Sequence, residues 1–146
     1  MVESKDFKEF VQLLNEHKVC YLVVGGYAMA FHGHPRYTKD MDVWVGGERE
    51  NIEKLLTALT EFGFGSVGLK AEDFLDPEIV VQLGYPPYRI DILTDLKGVD
   101  FQTCYSRKQQ LDVDGIMFNF IDLDNLRRNK QSSGRLQDLA DLEKLQ

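Results

Sequence analysis

Three aspartates and a glycine pair carry the chemical signal of this sequence. Asp40 and Asp42 stand two apart in the run Asp40-Met-Asp-Val-Trp-Val45, and Asp91 lies between Ile90 and Ile92. Side chains alternate along a strand, so Asp40 and Asp42 share one face, about 7 Å apart, while Met41, Val43 and Val45 point to the other. Two carboxylates so placed repel each other and need water or a cation between them. A carboxylate inside an apolar strand is costly unless it is paired or metal-bound. If the strands are neighbours, Asp40, Asp42 and Asp91 converge, and an oxygen-only cluster suits Mg²⁺ or Mn²⁺. The same pattern also fits a solvated outer sheet face. Gly25 and Gly26 close the apolar run Cys20-Tyr-Leu-Val-Val24 and precede a helical segment. Such a turn lets backbone N–H groups approach a phosphate. There is no GxGxxG and no P-loop lysine, so the standard dinucleotide and P-loop readings fail.

The elements that must position these residues follow from hydrophobic period. Phe7, Phe10, Val11 and Leu14 mark an amphipathic helix with Ser4 as its N-cap. Residues 20–24 read as a buried strand, 27–31 as a helix start broken at Gly33-His-Pro35, and 40–45 as a second strand. Ile52, Leu55, Leu56 and Leu59 mark another helix, with Gly63 as its terminator. Glu78–Leu83 and Arg89–Leu93 are further strands joined by the turn Tyr85-Pro-Pro-Tyr88. Residues 99–106 suggest a short helix. Asp114-Gly115 signals a hairpin between 108–113 and 116–121. Asp122 caps a short helix, and Leu136, Leu139, Leu142 and Leu145 stripe a last one that should face the core. This order predicts an α+β fold: a mixed β-sheet with helices packed mainly on one side, as a single domain spanning 1–146.

Composition sets the boundaries. With 43% hydrophobic and 28% charged residues the chain suits a globular core rather than disorder. No apolar run reaches the length of a membrane span, and the polar start does not read as a signal peptide, so a cytoplasmic protein is expected. Cys20 and Cys104 are isolated and suggest neither disulfide nor zinc. A net charge of −7 opposes a broad nucleic-acid surface, although Arg127, Arg128, Lys130 and Arg135 form a local basic patch. His32 and His34 lack a third ligand nearby. Trp44 follows the face of Asp42, where packing or base stacking are both open, and Tyr85 and Tyr88 have either turn packing or acceptor contact open to them.

Taken together, Leu-Val-Val-Gly25-Gly26, the thirteen-residue gap to Asp40-Met-Asp42-Val, and Ile-Asp91-Ile resemble the signature of the nucleotidyltransferase superfamily with the DNA polymerase β-like fold. Arg36-Tyr-Thr38-Lys-Asp40-Met-Asp42 is similar to the Arg-x-Thr-x-Asp-x-Asp form of minimal nucleotidyltransferases and AbiEii-type toxins. The segment from Lys130 through Gly134-Arg135-Leu-Gln-Asp138-Leu-Ala-Asp141 resembles their Lys…Gly-Arg-x-Lys-Asp-Leu-x-Asp tail, with Gln137 in place of the usual Lys. The resemblance runs from about residue 19 to residue 143.

It implies transfer of a nucleoside monophosphate from an NTP to an acceptor, with two Mg²⁺ (or Mn²⁺) ions clamping the attacking and leaving oxygens. Asp40, Asp42 and Asp91 would be the metal ligands, with Asp91 near the acceptor and assisting its deprotonation. Gly25 and Gly26 would cradle the β- and γ-phosphates, Lys130 would neutralise the triphosphate, and Arg36 and Arg135 would add phosphate contacts. Asp138 would either orient Lys130 or stay solvated. The implied acceptor is RNA or protein, as for the toxin of a toxin–antitoxin pair with an antitoxin partner. Two alternatives are a small hydroxylated antibiotic as acceptor, and a catalytically silent nucleotide-binding module.

Overall fold

The computed structural model describes residues 4–35, 40–64, 68–84 and 88–145. Arg36 and Tyr85 therefore lie outside the described residues. The elements are α1 (Lys5–Glu16), β1 (Tyr21–Val24), α2 (Gly25–Phe31), β2 (Met41–Val45), α3 (Arg49–Leu59) with a π-helical turn at Thr60–Phe64, α4 (Ala71–Leu75), β3 (Val81–Leu83), β4 (Ile90–Leu93), α5 (Phe101–Ser106), β5 (Gln109–Val113), β6 (Ile116–Phe120), α6 (Leu123–Ser133) and α7 (Leu136–Leu145). Local signals set most of these limits. The Ser4 hydroxyl accepts the Phe7 N–H at 3.3 Å, and Asp122 accepts that of Asn125 at 3.3 Å, so both expected N-caps form. Asp114 and Gly115 take φ of 53° and 85°, the left-handed pair that turns β5 into β6.

The strands form one mixed sheet in the order β3-β4-β2-β1-β6-β5. β1 runs antiparallel to β2 and parallel to β6, and β2 runs parallel to β4. The helices α1, α2 and α3 gather on the face carrying Val23, Val43 and Phe120, in keeping with the expected one-sided packing. Phe7 of α1 meets Tyr27 of α2 edge-on at 5.7 Å, and Phe31 stacks on Phe120 at 4.4 Å. The buried Asn51 side chain ties this layer to the sheet. It donates to the carbonyls of Cys20 and Gly46 and accepts the Cys20 N–H, joining the start of β1 to the end of β2. On the opposite face Trp44 packs edge-on against Phe101 at 5.1 Å and is 1% exposed. Packing is thus its role, and its indole Nε1 has no partner among the described residues.

Two expectations need correction. The leucine stripe of α7 is not a core stripe throughout: Leu136 is 87% exposed and Leu139 42%, while Leu145 is buried. The buried positions on that helix also include Asp138 and Asp141, so α7 turns a polar face inward. α4 has no counterpart in the sequence reading, because Ala71–Leu75 is too short to show a helical period. No helix among the described residues is long and apolar enough to cross a membrane.

Candidate active site

β2 and β4 are direct neighbours, and their register sets Asp42 opposite Asp91. On the other side of β2, Asp42 pairs with Val24, the last residue before the glycine turn. Paired residues on adjacent strands point to the same face, so the two carboxylates and the glycine turn share one side of the sheet. Asp40 lies one step before β2 and reaches the same cluster through Arg89. The Arg89 Nε donates to Asp91 Oδ1 at 2.7 Å, and its Nη2 donates to Asp91 Oδ2 at 3.0 Å and to Asp40 Oδ2 at 2.9 Å. The three aspartates therefore do gather, around a guanidinium.

Asp42 is the exception within the cluster. No side chain among the described residues donates a hydrogen bond to it. Burial, then the neighbouring charges of Asp91 and Asp40, push its pKa up to about 6, against the smaller opposing pull of Lys130 and Arg89. An oxygen-only donor set in which one partly buried carboxylate has no hydrogen-bond donor is chemically suited to a hard divalent cation. As the side chains stand, with Arg89 between two of them, no group of three acidic, His or Cys side chains among the described residues is arranged to hold an ion.

The glycine turn is built around Asp42. Gly25 has φ +67°, and a Cβ on it would sit 2.2 Å from Asp42 Oδ2 and 3.2 Å from Asp42 Cβ. Only glycine meets both demands. We expect Gly25→Ala to lower stability by about 1–3 kcal/mol and to displace the Asp42 carboxylate. Thermal melts and nucleotide-dependent transfer check this, and a melting curve equal to wild type would contradict it.

Val24, Gly25, Asp42, Asp91, Lys130 and Arg135 line one open cleft of about 320 Å³, together with Gln82, Asn129 and the apolar Val80, Leu93 and Leu96. A second hollow of about 380 Å³ shares Val80, Leu96, Asn129 and Arg135 with it and extends the space past Lys97.

The basic end of the cleft is an ion cluster spanning the α6–α7 turn. Gly134, with φ +67°, ends α6 and lets α7 fold back, so that residues eight apart meet. Lys130 Nζ lies 3.0 Å from Asp138 Oδ1 and 3.1 Å from Asp141 Oδ2, with all three side chains at most 5% exposed. Asp138 also accepts from the Ser133 hydroxyl and from Arg135 Nε at 2.7 Å. Gln137 donates to Asp141 at 2.9 Å, so the residue that departs from the resembled tail serves to hold this acid. Of the two roles open to Asp138, the structure selects the one that orients Lys130. Lys130 faces the cleft as a clamped charge, whereas Arg135 is 80% exposed in its side chain. Arg127 donates to the Leu145 carbonyl at the end of α7. Three of the four residues of the basic patch are thus held by carboxylates or a carbonyl.

Burial alone would raise the pKa of Asp138, but the bonds from Arg135, Ser133 and Lys130 outweigh it and hold it at about 2. Its unfolded value is near 3.9, so its contribution is present above pH 4 and lost as pH falls toward 2. Urea melts between pH 5 and pH 2 should show a shallower acid limb for Asp138→Asn than for wild type. Parallel limbs would contradict the assignment.

The remaining residues singled out from the sequence stay outside the cleft. His32 Nε2 bonds the Ile121 carbonyl at 2.8 Å, with no metal partner in His34 among the described residues. Tyr88 is 57% exposed and meets Phe7 edge-on at 6.1 Å, which is turn packing. Sequence reasoning missed Arg89, Asn129 and Gln82. For Arg89 a signal was present: it stands two residues before Asp91, so alternation places both side chains on one face.

No protein-family profile and no curated protein matches this chain. Solved structures do. A Thermotoga maritima protein assigned as a nucleotidyltransferase superposes with a TM-score of 0.61 at 16% identity, covering 94% of this chain and 88% of its own. The lincosamide antibiotic adenylyltransferase LnuA, solved with lincomycin bound, gives 0.61 at 15% identity over 99% and 96% of the two chains. The antibiotic-resistance factor ANT(2'')-Ia gives 0.60 at 11% identity over 96% and 80%. At these identities the likeness is one of fold, and the fold is that of nucleotidyltransferases.

Proposed function

We propose that this chain transfers a nucleoside monophosphate from an NTP to an acceptor hydroxyl in a reaction dependent on a divalent cation. The observation that carries the reading is the register that sets Asp42 beside Asp91 and against the Gly25 turn. That is the geometry the resembled signature requires, reached in a fold shared with nucleotidyltransferases. Asp40, Asp42 and Asp91 are the residues we assign to hold Mg²⁺ or Mn²⁺, which would supply charge neutralisation on the attacking and leaving oxygens.

The chain's own residues do the rest. The acceptor oxygen attacks the α-phosphorus in line, the α-phosphorus–oxygen bond to the β-phosphate breaks, and pyrophosphate leaves. The backbone at Gly25 lines the cleft and would approach the β- and γ-phosphates because that residue carries no side chain, while Gly26, buried behind it, would serve through its place in the turn. Arg135, exposed at the cleft, would meet the leaving phosphates. Lys130, clamped by Asp138 and Asp141, contributes a fixed field rather than a swinging contact. Asp91 would complete the ligand set on the acceptor side and assist removal of the acceptor hydroxyl's proton.

A small hydroxylated molecule is the acceptor class the surface favours. Lys130, Arg127 and Arg135 have partners within the fold, and the net charge is −7, which leaves little cationic surface for a polyanion. The two joined hollows suit a ligand of modest size. RNA or protein as acceptor, with an antitoxin partner, is the competing reading. Incubation with α-labelled NTPs and Mg²⁺ against total RNA, lysate protein and a panel of hydroxylated antibiotics separates them. Label on a small molecule supports our reading, and label on RNA or protein moves it to the toxin class. No label on any acceptor, together with no binding of a nonhydrolysable NTP, overturns nucleotidyl transfer.

A further inference from the structure

Arg89 has no part in the mechanism above, yet it holds the acidic cluster together. Its guanidinium takes both oxygens of Asp91 and one of Asp40, at 2.7 to 3.0 Å, and leaves Asp42 without a donor. With 28% of its side chain exposed it sits at the cleft rather than in solvent. The pairing is bidentate and charge-assisted, the strongest kind of side-chain hydrogen bond. A guanidinium and a divalent cation seek the same carboxylate lone pairs and repel each other. We infer that Arg89 is a positioning residue that occupies the place of a divalent cation between Asp40 and Asp91 in the nucleotide-free protein, so that metal enters with the triphosphate rather than ahead of it.

The inference rests on the assignment of Asp40, Asp42 and Asp91 as metal ligands. It adds an order of assembly. A unit positive charge roughly 6 Å from a divalent ion in a water-like dielectric lowers its affinity about tenfold. A triphosphate carries enough negative charge to offset that opposition. In its presence the Arg89 pairs can loosen or share their oxygens, since each carboxylate has about four lone-pair sites.

Mn²⁺ binding to the full chain, followed by electron paramagnetic resonance with and without a nonhydrolysable NTP, tests this in wild type, Arg89→Met, Arg89→Lys and Asp42→Asn. Without nucleotide, Arg89→Met should bind Mn²⁺ about tenfold more tightly than wild type, and the gap should narrow once nucleotide is present. Arg89→Lys keeps a charge but cannot span Asp40 and Asp91, so it should bind severalfold more tightly than wild type, and it carries the test if the methionine variant melts early. A merely structural arginine would give weaker binding when lost. Equal or weaker Mn²⁺ binding in folded Arg89→Met and Arg89→Lys overturns the inference while leaving the metal-ligand assignment intact, provided Asp42→Asn abolishes binding. Absence of Mn²⁺ binding by wild type even with nucleotide overturns both.

Discussion

Asp42→Asn is expected to lower nucleotidyl transfer by on the order of a thousandfold while raising the melting temperature in metal-free buffer at pH 8. The two effects have one cause. Asp42 is a partly buried carboxylate with no hydrogen-bond donor among the described residues, facing Asp91 across the strand pair. Its pKa is raised to about 6, against about 3.9 in the unfolded chain. The folded state therefore holds this proton more tightly than the unfolded state. Stability from that difference is complete below pH 4 and is lost as pH rises through 6. At pH 8 the ionised group costs the fold about 3 kcal/mol, or about 8 °C for a domain of this size. Asparagine keeps the shape and removes the charge. Calorimetric melts in chelator at pH 4 and pH 8 check the claim, with the gain confined to the higher pH. A variant that melts lower at pH 8, or that transfers nucleotide at the wild-type rate, would contradict it.

Lys130→Met is expected to have the largest effect on stability. Lys130 is 4% exposed and neutralises Asp138 and Asp141, which are 2% and 0% exposed. Its removal leaves two buried carboxylates without their central cation, a loss of about 3–5 kcal/mol. That corresponds to a fall in Tm of about 10 °C. The arrangement also predicts a rescue. The triple variant Lys130→Met, Asp138→Asn, Asp141→Asn removes the buried carboxylate charges and should recover much of the loss, because the penalty lies in buried charge deprived of its central cation rather than in missing packing. Urea unfolding of the single and triple variants measures this, and a triple variant less stable than the single one would refute the account.

These two sites differ in how far they were legible in sequence. Asp42 was legible through alternation with Asp40, taken together with the glycine pair and Asp91. Lys130 stood out in the basic patch and in the tail it resembles, but the carboxylates that hold it were not legible there. The reason is the αL turn at Gly134. It folds α7 back on α6 and brings Asp138 and Asp141 onto Lys130, which becomes the centre of a buried ion cluster at the cleft. Nothing in the spacing of one lysine and two aspartates reveals that their helices are antiparallel neighbours. The exposure of Leu136 and Leu139 has the same origin, because the inward face of α7 is given to those acids. Arg89 shows the converse case: alternation put it beside Asp91 in plain view, but its reach to Asp40 required the strand order.

Local interactions are written in neighbouring residues, and so the strands, the capped starts of α1 and α6, the Asp114–Gly115 hairpin and the face on which each aspartate lies were legible before any folding in space. Side-chain period and capping act over a few residues and need no knowledge of what packs above. Which strands lie side by side, and hence whether Asp91 meets Asp42, depends on contacts between segments some fifty positions apart, as 42 and 91 are. Only the tertiary structure decides those, because the free energy that selects one sheet order comes from burying whole faces together rather than from any single residue's preference.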